Sequence, residues 1–369
     1  MAKIYLEHLH KRYGRSLALE DLTAEIQDRE LIVFLGPSGC GKTTTLNCIA
    51  GIEQPTSGSI YFDNEDVTDW PPHKRNIAMV FQSALLYPHL TARDNIKMSL
   101  RIARMSKEEM EKRVKEVAEL LEIHELLDKL PFHMSGGQRQ RVATAKAIVR
   151  NPSVFLMDEP LASLDAAMRE ALRAEIVVLQ KKLGITMVFV THDQIEAMTM
   201  GDRVAVMQAG RLEQVGTADA IYNSPVNTFV AGFVGSPPMN FFEGTIKQHD
   251  NGYIFEHPKF YIELPGTIIQ HCQESMEAKN ITLGVRPQHI SLLETPRPGA
   301  IKGQVYAVER LGKETVIIIE YESETKFKAI VPPFSKQNGG ETVYLLPQAE
   351  NVYLFDSKTR KNLLSGKST

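Results

Sequence analysis

The stretch "LIVFLGPSGCGKTTTLNCIAG", residues 31–51, decides the fold. Leu31 to Leu35 form an apolar run of the length and composition of a strand buried on both faces. Gly36, Gly39 and Gly41 follow, then Lys42 and three threonines, and the pattern turns helical until Gly51 ends it. Strand, glycine turn, helix is the setting in which the spacing GxxxxGK[ST] wraps a phosphate. The glycines let the backbone N–H groups of residues 38–43 converge on anionic oxygens, and the helix N-terminus adds its positive pole. Lys42 is placed to reach the β- and γ-phosphates and Thr43 to offer an oxygen to Mg²⁺.

Working outward, further apolar runs at "IAMVF" (77–81), "VFLM" (154–157) and "MVFV" (187–190) read as strands of the same α/β core. Between residues 83 and 135 strand signals vanish. There "SKEEMEKRVKEVAELLEI" opens with Ser106 and Glu109 as a capping box and sets Met110, Val114, Val117, Ala118 and Leu121 on one helical face. The expectation is a helical insertion over about residues 83–150. After "GSPPMN" (235–240) the chain changes to short β-rich runs such as "ITLGVRP", "TVIIIEY", "FKAIVPP" and "TVYLLP". Residues 1–235 are therefore expected to form an α/β phosphate-loop domain, and residues 236–369 an all-β, barrel-like domain.

Composition narrows the function classes. A net charge of −3 gives no reason to expect nucleic acid as the main partner. Cys40, Cys48 and Cys272 make neither a paired framework nor a metal spacing, which suits a reducing compartment. Cys40 reads as a small filler of the glycine turn, although a thiol near a helix N-terminus can be reactive. Residues 1–14 mix charges throughout, and no apolar run reaches 18 residues, so the chain is not expected to cross a membrane itself. Trp70 is the only tryptophan, and no cluster of aromatics and carboxylates stands apart as a saccharide cleft.

A phosphate loop needs a carboxylate on its metal side. "VFLMDEP" supplies Asp158 for Mg²⁺ at the end of a buried strand, with Glu159 beside it to orient or deprotonate an attacking water. "MSGGQRQR" (134–141) adds a second glycine-containing helix start, and so a second anion site of the same kind. One nucleotide does not need two such sites from one chain. The pattern makes sense where Ser135 and Gly137 reach a γ-phosphate held by a partner subunit.

Taken together and in this order, the motifs resemble the ATP-binding subunits of ABC transporters over nearly the whole chain. What the resemblance implies can be stated residue by residue. ATP would lie on Ser38, Gly39, Cys40, Gly41, Lys42, Thr43 and Thr44, with Tyr13 of "KRYG" stacking on adenine. Ser135, Gly137 and Gln138 would meet the nucleotide of the other subunit, and Asp165 of "LASLD" would communicate across the dimer. Mg²⁺ would be held by Thr43, Asp158 and Gln82, the last also sensing the water and the membrane subunit. Catalysis would rest on Glu159, Lys42, Gln82 and His192, the switch histidine of "VFVTHD". Two departures are small: Ala162 stands where the family often has Ser, leaving the role of that hydroxyl open, and Met134 where Leu is usual.

"SALLYPHLTARDNI" (83–96), "GSPPMNFFEG" (235–244) and "LGVRPQHI" (283–290) are similar to phrases of the carbohydrate-importer group, the maltose and glycerol-phosphate type. This implies an ATPase powering uptake of a sugar, oligosaccharide or polyol, peripheral at the cytoplasmic face of the membrane. Its C-terminal segment would be an oligonucleotide-binding-like transport-associated domain. The implied partners are a second ATPase subunit, identical or paired, two membrane-spanning permease subunits near "LLYPHL", and indirectly an extracytoplasmic solute-binding protein. Importers of polyamine, sulfate or iron, and soluble non-transport ABC ATPases, are the alternatives.

Overall fold

The computed structural model describes residues 2–249, 252–270, 280–322 and 325–364, and Cys272 lies outside them. The chain divides into two compact units, Met1–Ala218 and Asp219–Thr369.

In chain order the first unit runs β1 (Ile4–Tyr13), β2 (Ser16–Ile26), β3 (Leu31–Leu35), α1 (Lys42–Ala50), β4 (Ser57–Phe62), β5 (Glu65–Asp66) and β6 (Ile77–Val80). Then come α2 (Ala92–Ile102), α3 (Lys107–Leu120), α4 (Gly136–Ile148), β7 (Val154–Asp158), α5 (Ala166–Leu183), β8 (Thr186–Thr191), α6 (Gln194–Met200), β9 (Arg203–Gln208) and β10 (Arg211–Gly216). The central sheet has the order β10-β9-β3-β8-β7-β6, parallel except for the β9/β10 pair. β3 and β8 are buried along their whole length, as a strand covered on both faces must be. Because β3, β8, β7 and β6 are parallel neighbours, the loops that follow them leave from one edge of the sheet, the edge where open α/β sheets bind ligands.

A second sheet, β2-β1-β4-β5, is antiparallel. The chain start does not read as strands, because β1 carries register breaks around Glu7–His10 that interrupt its alternation, with His8 at φ 48°. Its apolar side (Ile4, Leu6, Leu22, Ile60) shares one core with Leu46 and Ile49 of α1 and with Phe34 of β3. α1 is thereby anchored from two sheets. Its far end is held by Arg75, almost fully buried, which donates to Cys48 O, Ile49 O, Thr68 O and Trp70 O at 2.8–2.9 Å. Helix carbonyls that have no partner in the helix are satisfied this way.

α2, α3 and α4 occupy the interval between β6 and β7. At α3, Ser106 accepts from Glu109 N, the Ser106 half of the expected capping box. Met110, Val114, Val117 and Ala118 are buried, whereas Leu121 is the C-cap and only half-buried, since the helix has ended by then.

The second unit begins with α7 (Ala218–Asn223) and α8 (Thr228–Phe233). Its strands are β11 (Asn240–His249), β12 (Gly252–His257), β13 (Phe260–Leu264), β14 (Asn280–Val285), β15 (Ile290–Leu293), β16 (Ile301–Arg310), β17 (Thr315–Glu322), β18 (Thr325–Val331), β19 (Thr342–Pro347) and β20 (Val352–Asp356). They form two antiparallel sheets, β13-β12-β11-β14-β20 and β15-β19-β16-β17-β18. Phe242, Phe255, Leu283 and Leu354 of the first meet Val305, Ile317, Phe327 and Leu345 of the second in one core. This is the curled all-β arrangement expected from the sequence. The phrases around Gly235 and Arg286 turn out to be one device. Arg286, with no exposed surface, donates to Tyr222 O at 2.6 Å, to Ala231 O at 3.3 Å and to Val234 O, with its guanidinium 3.8 Å from the Tyr222 ring. A Cβ on Gly235 (φ +121°) would stand 2.7 Å from the Arg286 Nη1.

Candidate nucleotide site

The glycine turn delivers the chain into α1 through Gly41 at φ 106°, and no side chain caps the helix. The first bond of the helix is Thr45 N to Gly41 O, 2.8 Å, so the N–H groups of residues 42–44 have no helical acceptor. Gly41 is required twice, by its left-handed backbone and by Ala18 O of β2, which a Cβ would approach to 2.7 Å. A Cβ on Gly39 would meet nothing within 4 Å, so the outer side of the turn is open. Ser38, Gly39 and Thr43 are exposed, and Thr44 is half-buried.

Lys42 is 4% exposed and folds back, donating to Gly36 O at 2.8 Å and Pro37 O at 3.0 Å. The cation is thus held against the turn by carbonyls that phosphate oxygens can replace with stronger, charge-assisted bonds. Cys40 is buried as a filler, and burial pushes its thiol pKa up, away from the reactive thiolate. Thr43 Oγ1 donates to Asp158 Oδ1 at 2.9 Å, which brings a hydroxyl from the turn and a carboxylate from β7 together as two hard oxygen donors. Burial raises the Asp158 pKa, the Thr43 bond opposes that, and neighbouring Glu159 raises it further. N–H groups without helical acceptors, a buried cation and an oxygen pair fit the needs of a phosphate chain with a divalent cation.

Glu159 sits at φ 44°, a conformation that costs a non-glycine residue roughly 1–2 kcal/mol. Its N–H donates to Val190 O at 3.0 Å, extending the β7/β8 ladder by one residue. The side chain is 19% exposed, and its Oε2 is 2.9 Å from His192 Nδ1. A mostly buried carboxylate oriented by an imidazole is a competent acceptor for the proton of an attacking water. His192 is set by its own surroundings. Asp193 caps α6 by accepting from Ile195 N and Glu196 N, and Arg169 Nη1 donates to Asp193 Oδ2 at 3.2 Å. Arg169 Nη2 also donates to Leu164 O at 3.1 Å, so one guanidinium ties the loop of Asp165 to the loop of His192.

Asp165 is exposed and caps α5, accepting from Met168 N at 3.0 Å. Ser135 caps α4 in a complete capping box: its Oγ accepts from Gln138 N, and Gln138 Oε1 accepts from Ser135 N. The glycines beside it are places of close approach, since a Cβ on Gly136 would lie 2.9 Å from Leu164 Cδ2 and one on Gly137 2.5 Å from Met168 Sδ. Ser135, Gly137 and Gln138 therefore gather with the Asp165 loop. Among the described residues, no hydrogen bond joins them to residues 36–44, Asp158, Glu159 or His192. Tyr13 ends β1, 46% exposed, with Lys11 Nζ 4.9 Å from its ring. Gln82 lies exposed just beyond β6.

Sequence reasoning missed three contributors. The reciprocal Gln138 cap was open to detection, because Gln three residues after Ser is the capping-box signature. Arg75 and Arg169 carried no signal, since each acts mainly on carbonyls or on a capping aspartate distant in sequence.

Comparison with known proteins follows the same division. The family described as ABC transporter matches residues 19–162, the MalK OB fold domain matches 235–290 and the TOBE domain 283–355. The chain is 42% identical to the trehalose/maltose import ATP-binding protein MalK of Thermococcus litoralis, covering 98% of this chain and 99% of that one. It is also 42% identical to the trehalose import ATP-binding protein SugC of Mycobacterium tuberculosis, covering 98% of each. Among solved structures it resembles a dimeric ATP-binding cassette in a post-hydrolysis state bound to ADP and Pi. The TM-score is 0.53 and the identity 33%, over 58% of this chain and 98% of that one.

Proposed function

The chain belongs to the ABC transporter ATP-binding family and is an ATP-binding, ATP-hydrolysing subunit, and from that premise we propose that it powers import of a sugar. The observation that carries the hydrolytic reading is the adjacency, at one sheet edge, of Thr43 with Asp158 and of Glu159 with His192. The sugar rests on full-length likeness to trehalose and maltose import proteins.

In this reading residues 38–44 with Lys42 hold the phosphates of ATP and Tyr13 stacks on its base. Thr43, Asp158 and Gln82 hold Mg²⁺, whose charge would offset that of the phosphates. Glu159 takes the proton of the attacking water, while His192 keeps the carboxylate oriented. Ser135, Gly137 and Gln138 face the nucleotide of a second copy, since they gather with Asp165 and away from their own glycine turn. A twofold dimer completes both sites. Residues 83–90, with Leu85 and Tyr87 exposed, form the edge that meets two membrane-spanning subunits at the cytoplasmic face. A solute-binding protein outside the membrane selects the sugar, and residues 236–369 form a transport-associated regulatory domain. Among the described residues, no helix is long and apolar enough to cross a membrane.

The test is reconstitution in vesicles with the membrane subunits and binding protein that co-purify with this chain from native membranes. Hydrolysis is expected to rise with one sugar class and to fall about 10²- to 10⁴-fold in Glu159→Gln, which removes the base and keeps the shape. Stimulation by a polyamine, sulfate or iron instead, or wild-type turnover in Glu159→Gln, would overturn the corresponding half of the proposal.

A further inference from the structure

Helix α4 makes a second attachment far from Ser135. Lys146, near its C-terminal end, donates from Nζ to Leu85 O at 2.9 Å and stands 4.7 Å from the centroid of the Tyr87 ring. Its own carbonyl accepts from Ser99 Oγ of α2 at 3.1 Å. Leu85 and Tyr87 are 56% and 43% exposed, so their apolar surfaces face outward while this backbone is gripped from the α4 side.

The other grip comes from α2. Asn95, with no exposed surface, accepts from Tyr87 N at 2.7 Å and donates to Tyr87 O, Leu90 O and Thr91 O at 3.0–3.1 Å. Asn95 thus fixes the distal half of the loop to α2, and Lys146 fixes the proximal half to α4. Between the loop and the sheet lies a cavity of about 230 Å³ lined by Met79, Phe81, Leu85, Ser99, Ala143 and Lys146.

A lysine is a costly choice for that position. Burial lowers its pKa, and among the described residues no carboxylate pairs with it. A part-buried ammonium whose partners are one carbonyl and one aromatic face is worth keeping where those contacts set a geometry. The stem alone, packed as an apolar arm, would be served as well by methionine.

We infer that Lys146 is a positioning residue that couples the helix beginning at Ser135 to the exposed loop 83–90, so that displacement of α4 is carried to Leu85 and Tyr87. This rests on the reading of that loop as the docking edge. One end of α4 would then meet the partner's nucleotide and the other would move the surface that meets the membrane subunits.

Two measurements test it, with Lys146→Met (same bulk, no charge) and Lys146→Arg (charge and donors kept). In the isolated full chain, hydrogen exchange at Leu86, whose amide shares a peptide unit with the Leu85 carbonyl, is expected to quicken about tenfold in Lys146→Met, as loss of a charged hydrogen bond implies, and to return close to wild type in Lys146→Arg. In the reconstituted transporter, the ratio of stimulated to basal hydrolysis is expected to drop about tenfold in Lys146→Met and to recover in Lys146→Arg. Unchanged loop exchange in Lys146→Met, or a wild-type ratio in it, would overturn the inference. So would equal behaviour of the two variants. A separate arm, Leu85→Ser with Tyr87→Ala, tests the docking reading. A wild-type ratio there removes the docking edge, while the exchange comparison, made without partners, still decides whether Lys146 holds the loop.

Discussion

At Gly41 the chain enters α1 in the left-handed region with no side chain on the first N–H groups, whereas at Ser135 it enters α4 extended, with a reciprocal Ser135–Gln138 cap already formed. Both starts carry glycines and both offer the positive pole of a helix. They differ in what occupies that pole. α1 leaves its first N–H groups without a side-chain cap and holds the buried Lys42 beside them. α4 has the N–H of Gln138 already taken by Ser135 Oγ, a cap worth roughly 1 kcal/mol that a phosphate oxygen aimed at that N–H must displace. In the proposed dimer, a phosphate would therefore meet uncapped N–H groups at α1, whereas at α4 it would compete with Ser135 for Gln138 N.

The largest effect that would sharpen this contrast is Lys42→Ala. Losing a charge on two phosphates should weaken ATP binding by about a hundredfold or more, measured by calorimetry. Near-wild-type affinity would mean that the N–H groups alone hold the nucleotide. Next in size is the comparison of glycines. Gly41→Ala places a methyl 2.7 Å from a backbone oxygen at φ +106°, and thermal unfolding should show a loss of about 2–4 kcal/mol. Gly137→Ala meets the flexible side chain of Met168, at Sδ and Cγ, and no backbone, so the loss should be nearer 1 kcal/mol. Equal losses would erase the distinction between a turn enforced by backbone and one enforced by packing.

Ser135→Ala should cost about 1 kcal/mol of stability in the free chain and leave its own nucleotide affinity unchanged, because the serine caps α4 and does not touch residues 36–44. A weakened affinity in a monomeric preparation would place Ser135 at its own phosphate loop. The smallest effect concerns Asp158. Its pKa is raised in the fold, so at neutral pH the ionised form carries a burial penalty, and the penalty fades as pH falls through that raised pKa. Asp158→Asn should then melt slightly above wild type at neutral pH, with the gap closing in acid. A gap that widens in acid would mean that the carboxylate is stabilised where it lies.

The α/β core and the β-rich second unit were legible because both are written in local periods: apolar runs, helical spacing and glycine punctuation. The phosphate loop was legible for the same reason, since its chemistry lies within nine consecutive residues. The N-terminal antiparallel sheet was not, because bulges in β1 break the alternation that announces a strand. Leu121 was misplaced on the α3 face because helical spacing does not say where the last turn stops.

The sequence by itself singled out the residues to which the proposed function assigns the chemistry: Lys42, Thr43, Asp158, Glu159 and His192 belong to short motifs at recognisable strand ends. Only the tertiary structure decided that they are neighbours. The order β3-β8-β7 sets loops from three distant stretches side by side, brings Thr43 to Asp158 and Glu159 to His192, and leaves Ser135 with the loop of Asp165. The same holds for the cations that fasten the fold, Arg75 on α1, Arg286 on α8 and Lys146 on the loop at Leu85. Each binds backbone carbonyls, a group that every residue possesses. No pattern of side chains can mark in advance which carbonyl an arginine or lysine will find.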